Sequence, residues 1–123
     1  MRATLYSSHV ARDFSDGQLT IDIVREDERR GVSRHDRVHF SVPRDYHVHN
    51  DSVAAALLTL LGQTCREVTF NFPISERCAE LLTSYYRLAN VGPVDAALER
   101  RQPGRHLALN FSGGIDSTAL YLL

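Results

Sequence analysis

Lysine is absent from this chain of 123 residues, so all 14 of its basic side chains are arginines. This absence excludes Schiff-base chemistry on a lysine side chain and the phosphate-binding lysine of a Walker A loop. The two cysteines, Cys65 and Cys78, do not form a C-x-x-C pair. Their spacing therefore indicates neither a zinc ribbon nor a thioredoxin-type redox site, and we expect two reduced, buried thiols.

Long apolar runs are also missing. No stretch approaches the ~18 consecutive apolar residues of a membrane span, and the N-terminus lacks the layout of a signal peptide. The content of 43% hydrophobic and 24% charged residues is typical of a soluble globular protein, which predicts a cytoplasmic location and no membrane partner. The net charge of -1 argues against nucleic acid as a partner, because it offers no bulk attraction to phosphates.

The first fifty residues show the alternating pattern of β-strands. A short strand is predicted over 3–6, a turn over 15–17, and two longer strands follow. The apolar faces of these longer strands are formed by Leu19, Ile21 and Ile23 in one and by Val38, Phe40 and Val42 in the other. The charged run between them, Arg25 to Asp36, is interpreted as an exposed hairpin loop.

Residues 51–101 have a helix-strand-helix pattern. Asn50 or Asp51 can cap the first helix and Gly62 can end it, and Glu67 to Phe72 alternates as a strand that Pro73 should break. Ser75 can cap a second helix, and Pro93 can begin a short third helix that extends to Arg101. The buried faces are predicted to consist of Val53, Ala56, Leu57, Leu60 and Leu61 in the first helix, and of Cys78, Leu81, Leu82, Tyr85 and Leu88 in the second.

The last seventeen residues differ in kind. Leu107 to Phe111 is almost entirely apolar, as in a strand covered on both faces, and it leads into Ser112, Gly113 and Gly114. Two glycines let the backbone approach a ligand closely, and main-chain amides at a helix start favour an anion such as phosphate. Asp116 would repel that anion unless a divalent cation lay between them, so the pattern favours Mg²⁺ with a polyphosphate.

This stretch, S-G-G-I-D-S-T at 112–118, resembles the PP-loop of the ATP pyrophosphatase family. The resemblance covers 107–123 and implies ATP and Mg²⁺ as cofactors, with cleavage of ATP to AMP and pyrophosphate. It implies that the carboxylate or carbonyl of a small-molecule substrate is adenylated. By the same resemblance, the phosphates are held by Ser112, Gly113, Gly114, Ser117 and Thr118, and Asp116 helps to hold the metal.

The resemblance leaves several subfamilies open. Position 2 is arginine and neither cysteine lies in a glycine-flanked elbow, which argues against a glutaminase front domain. An epimerase of the UDP-muramoyl-peptide glutamate type is compatible, and a tRNA sulfur-transfer enzyme is an alternative. A non-catalytic interaction module is the third alternative if the chain ends at Leu123. The substrate and the oligomeric state stay open.

The predicted fold class is α/β. An α+β front domain over 1–104, β-rich over 1–50, leads into the first strand, loop and helix of a parallel-sheet nucleotide domain at 105–123. One strand and one helix cannot cover both faces of a parallel sheet, so we expect the chain to be the N-terminal part of a longer enzyme.

Histidines and arginines of the first half offer weaker signals. Two pairs, His35 with His39 and His47 with His49, could ligate zinc together with Asp36, Asp45 or Asp51, but their spacing is irregular and favours surface histidines. The arginines between 25 and 44 are interleaved with acidic residues, so a solvated loop is favoured over an RNA contact.

Overall fold

The computed structural model describes residues 1–106, which adopt a mixed α/β fold with one five-stranded sheet and two α-helices. The strands are β1 (Arg2–Ser7), β2 (Gln18–Asp27), β3 (Val32–Ser41), β4 (Glu67–Ile74) and β5 (Asn90–Val94). The helices are α1 (Asn50–Leu61) and α2 (Glu76–Tyr86), and a short 3-10 helix at Ser8–Ala11 follows β1.

The sheet has the strand order β3-β2-β1-β4-β5. Pairing is antiparallel between β1 and β2 and between β2 and β3, and it is parallel between β1 and β4 and between β4 and β5. The carboxyl ends of β1, β4 and β5 therefore meet at one edge of the sheet, which we call the carboxyl edge. Both helices begin near this edge: α2 starts two residues after the end of β4, and Asn50 Nδ2 of α1 donates to the carbonyl of Pro73 at 2.9 Å.

One face of the sheet carries the core. Alternate residues of β1, β2 and β4 are buried against the helices, as the period-2 pattern of the sequence predicts. The largest of these fully buried side chains belong to Leu5, Ile21, Ile23, Val68 and Ile74. The opposite face is open in the described part of the chain: Tyr6 at its centre is 49% exposed.

The strands predicted over 3–6 and around 19–24 and 38–42 are present, and Gly17 forms the predicted turn with a φ of 68°. The predicted long hairpin loop is wrong. Asp27 pairs with Val32, so only residues 28–31 connect the strands, and most of the charged run from Arg25 to Asp36 is strand. Its charges were misleading because this end of the hairpin extends past the core, where both faces of a strand can be polar.

Two predictions based on proline are also wrong. Pro73 does not break β4, which continues to Ile74. Its missing N–H costs no ladder bond, because pairing to β1 ends at Phe70 and the register to β5 shifts between Thr69 and Ile74. Pro93 begins no helix: it lies within β5, and 95–106 contains no helix.

The helices are located as predicted, but their faces differ. In α1 the buried apolar residues are Val53, Ala54, Leu57, Leu58 and Leu61, whereas the predicted Ala56 and Leu60 are exposed. In α2 Leu82 is buried at 7% exposure, whereas Leu81 and Tyr85 are 53% and 75% exposed. Leu88 is buried but lies beyond the end of the helix.

The helix ends are set by local side-chain chemistry. Gly62 terminates α1 with a φ of 58°, and Ser75 caps α2, both as predicted. The cap of α1 is His49, and not Asn50 or Asp51, because its Nδ1 accepts the N–H of Asp51 at 3.0 Å. The two cysteines are free and buried, as expected. Neither α-helix of the described residues is long and apolar enough to cross a membrane.

Candidate functional site

The six residues predicted to bind nucleotide and metal lie outside the described residues 1–106: Ser112, Gly113, Gly114, Asp116, Ser117 and Thr118. Within 1–106, buried polar side chains concentrate at the carboxyl edge, where α1 and α2 begin. Open sheets with parallel strands hold their ligands at this edge, so a ligand site in this part of the chain is expected here.

Asp51 and Ser75 form the centre of the carboxyl edge. The Asp51 carboxylate, in a residue only 8% exposed, accepts the Ser75 N–H at 2.9 Å and the Ser75 hydroxyl at 2.6 Å. Ser75 Oγ accepts in turn from the N–H of Cys78 at 3.2 Å. The first turn of α1 is thereby fastened to the first turn of α2, and a carboxylate near two helix N-termini is electrostatically favoured. Each carboxylate oxygen of Asp51 accepts a hydrogen bond from Ser75, which gives Asp51 a structural role at this edge.

His49 connects the start of α1 to the segment that follows β5. Its Nδ1 accepts from Asp51 N–H, so the ring proton is on Nε2, which donates to the carbonyl of Glu99 at 3.0 Å. The approach of His49 Nδ1 to the Asp51 carboxylate at 3.8 Å is accordingly no ion pair, since that nitrogen carries no proton. The segment after β5 is held across the start of α1.

His9 organises a second buried group of polar side chains. Asn50 Nδ2 donates to Pro73, so its Oδ1 is the acceptor for His9 Nε2–H at 2.9 Å. The Ser7 hydroxyl then donates to His9 Nδ1 at 2.6 Å. Burial lowers the pKa of His9, and the bond to Asn50 opposes this only in part. The neutral ring that results joins β1 to the start of α1.

Cys78 has the wrong chemistry for a nucleophile. Burial raises the pKa of its thiol to about 12, with smaller contributions from the Asp51 charge and from a hydrogen bond to Asp51. The thiol stays protonated and faces the Asp51 carbonyl at 3.9 Å. Because the thiolate is the reactive form, we expect this cysteine to react slowly in the folded protein.

A groove of about 560 Å³ lies between α1 and α2, next to the Asp51–Ser75 pair. Leu81, Leu82 and Ala55 supply its apolar wall, and the segment after β5 borders it. Three arginines line it: Arg77, Arg100 and Arg101. Ser52 also lines the groove, and its buried Oγ has no hydrogen-bond partner in the part of the chain that the structure describes. The groove can hold an apolar group with an anionic end, and the described residues that line it offer no acid-base pair.

The histidines considered as zinc ligands are not brought together. His35 Nε2 contacts Asp22 at 3.0 Å on the open face of the sheet, and His39 Nδ1 contacts the Thr20 hydroxyl at 3.2 Å. His49 instead contacts Asp51 and Glu99 at the start of α1. Within residues 1–106 no group of three or more His, Cys, Asp or Glu side chains could hold a metal ion.

The sequence predicted local features of the carboxyl edge but not the contacts between distant residues that form it. Ser75 was predicted as a helix cap and Asp51 as one of two candidates for the other cap, but the two residues are 24 positions apart and the sequence carried no signal that they touch. The role of His9, which is far from Asn50 in sequence, was missed for the same reason.

Comparisons of this chain with protein families, curated proteins and solved structures gave no match.

Proposed function

We propose that this chain is the N-terminal part of an ATP-dependent adenylating enzyme with a PP-loop at 112–118. The observation that supports this proposal is the heptapeptide S-G-G-I-D-S-T, directly after the apolar run Leu107 to Phe111. In the proposed site, main-chain amides around Gly113 and Gly114 bind the phosphates. The hydroxyls of Ser112, Ser117 and Thr118 donate further hydrogen bonds to the same oxygens.

Asp116 would act through Mg²⁺. A carboxylate is a hard oxygen ligand of the kind this cation takes in nucleotide sites, and the cation removes the repulsion between Asp116 and the phosphates. Mg²⁺ would neutralise charge on the pyrophosphate leaving group, and a carboxylate or carbonyl oxygen of the substrate would attack the α-phosphorus. The products of this step are an adenylated substrate and pyrophosphate.

The described residues are consistent with a front domain that does no thiol chemistry of its own. The high pKa of Cys78 keeps its thiol protonated, and Cys65 is buried in the core. A glutaminase needs an accessible thiolate, so we infer that residues 1–106 do not supply ammonia. This favours a small carboxylate or carbonyl substrate and not an amide-forming reaction fed by glutamine.

The proposal is tested with Mg-ATP on the longer enzyme that carries this chain, because one strand and one helix do not complete the nucleotide domain. We expect saturable binding by isothermal titration and release of pyrophosphate, not phosphate, when the substrate is present. Asp116→Asn should weaken Mg-dependent ATP binding about tenfold or more while leaving the circular dichroism spectrum unchanged. Asp16→Asn is the matched control, because Asp16 is exposed and only caps the Gln18 N–H, which asparagine can also do.

Three outcomes separate the alternatives. ATP binding without any pyrophosphate release from a panel of carboxylates would favour a non-catalytic module. Pyrophosphate release that depends on added tRNA would favour the sulfur-transfer class. Equal ATP affinity in the wild type and in Asp116→Asn would remove Asp116 from the site, and no binding at all would refute the proposal.

A further inference from the structure

Strand β3 forms a long edge of the sheet. It pairs with β2 over ten consecutive residues without a bulge and contains no proline. On its other side, no strand of the described residues 1–106 is bonded to it. An edge of this length and regularity can accept another strand. The opposite edge, β5, has five residues including Pro93 and is unsuited to this role.

The backbone groups that face outward from β3 can be assigned. Val42 N–H donates to the carbonyl of Gly17 at 2.9 Å, so residues 17 and 42 form a hydrogen-bonded pair. Hydrogen-bonded pairs recur at every second position of an antiparallel ladder, which makes the even-numbered residues of β3 the ones that bond to β2. The N–H and C=O groups of 33, 35, 37, 39 and 41 therefore point away from the sheet.

We propose that this edge pairs with the β3 edge of a second copy of this chain, antiparallel, about a two-fold axis at His35. In this register His35 faces His35 of the second copy in a hydrogen-bonded pair, and Ser33 faces Arg37. The even-numbered residues then form the closer, non-hydrogen-bonded pairs: Arg34 faces Asp36 of the second copy and Val32 faces Val38, each twice by symmetry. The two sheets become one sheet of ten strands.

The charges of β3 support this partner. Within one chain Arg34 lies directly opposite Arg25, a like-charge pair that destabilises a sheet. The carboxylate of Asp36 is 3.5 Å from Arg25, and among the described residues Arg34 has no ion pair. Asp36 of the second copy would come to the free side of Arg34 and relieve the repulsion. The unfavourable pair in the single chain becomes part of an alternating row of charges.

The same charges select the register. Centring the axis on Arg34, Asp36 or Arg37 would place each of these residues opposite its own copy, which is a like-charge pair at the axis. Centring it on His35 avoids all three and opposes arginine to aspartate instead. On the open face, Arg37 and His35 are already held by Asp22, with Arg37 Nη2 at 3.1 Å from Oδ2 and His35 Nε2 at 3.0 Å from Oδ1. Asp22 of each chain therefore offsets the charge of the Arg37 that faces Ser33 of the other copy.

Sedimentation velocity from about 1 µM to about 100 µM tests the proposal. We expect a reversible dimer in the wild type. Arg34→Asp and Asp36→Arg each place like charges opposite one another twice, and each should weaken dimerisation about tenfold or more. The double variant Arg34→Asp with Asp36→Arg restores opposite charges and should recover dimerisation. A wild type that stays monomeric throughout this range overturns the proposal.

Two further variants control for folding and for net charge. Arg44→Asp changes the net charge as Arg34→Asp does but lies in the loop after β3, so its dimerisation should match the wild type. Ser33→Pro removes an outward N–H without removing a bond to β2, and it should abolish the dimer while the circular dichroism spectrum is retained. A dimer that survives Ser33→Pro, or one that the double charge variant fails to restore, is formed by another surface and refutes the β3 pairing.

Discussion

Replacing Asp51 by alanine should be among the most damaging single changes at the carboxyl edge. The change removes two short hydrogen bonds to a carboxylate, at 2.9 Å and 2.6 Å, and leaves the buried N–H of Ser75 without an acceptor. Charge-assisted bonds contribute about 1.5–3 kcal/mol each, and an orphaned buried donor costs about 1–3 kcal/mol. Because these contributions overlap, we expect the free energy of unfolding to fall by about 3 kcal/mol, a large part of the ~5–15 kcal/mol of a typical domain.

Urea unfolding followed by circular dichroism measures this loss. Asp16→Ala is the control, since Asp16 makes one exposed bond to the Gln18 N–H, and it should cost less than about 1 kcal/mol. A double-mutant cycle with Ser75→Ala should return a coupling energy of about 1–2 kcal/mol, because the two residues share their hydrogen bonds. A loss below about 1 kcal/mol for Asp51→Ala, or additive effects in the cycle, would show that the two helices are not joined through this pair.

Three other outcomes are expected. Leu82→Ala should lower the free energy of unfolding by about 2–4 kcal/mol and Leu81→Ala by less than about 1 kcal/mol, and equal losses would contradict the burial of only one of them. Burial lowers the pKa of His9 below its ordinary 6.5, so the unfolded state binds the extra proton. Stability should therefore fall as the pH drops below 6.5, and His9→Gln should flatten that part of a pH series of urea midpoints. Because the pKa of Cys78 is raised to about 12, Ellman's reagent at about pH 8 should leave this thiol unmodified until denaturant is added, and rapid native labelling would exclude a protonated, buried thiol.

Local patterns in the sequence predicted the elements that have one buried and one exposed face. Leu19, Ile21 and Ile23 alternate with polar residues, and this was enough to identify β2 and its inner face. The pattern failed for Arg25 to Asp36, where the hairpin extends past the core and charges occupy both faces. It also failed at Leu81, because the spacing of apolar residues in a helix does not show which side of the apolar stripe will pack against the sheet.

The carboxyl edge could be predicted only as far as its contacts are local. Ser75 is a cap because its hydroxyl oxygen accepts from the N–H of a residue three positions on. Such a local contact can be predicted from the sequence. The bond from Asp51 to Ser75 depends on where two helices start relative to a sheet, and so does the contact of His49 with Glu99. The nucleotide-binding residues at 112–118 stay a prediction, because they lie outside the described residues.

The first strand of the chain lies in the middle of the sheet, between β2 and β4. During synthesis, residues 1–41 can form a three-stranded meander as they leave the ribosome, since β1, β2 and β3 are joined by short connections. The backbone groups on the other side of β1 stay unpaired until their partners in β4, Glu67 to Phe70, have been synthesised. At a rate of about 5–20 residues per second this leaves an open strand edge for seconds, which is the interval in which a nascent chain of this topology is most exposed to aggregation and to chaperones.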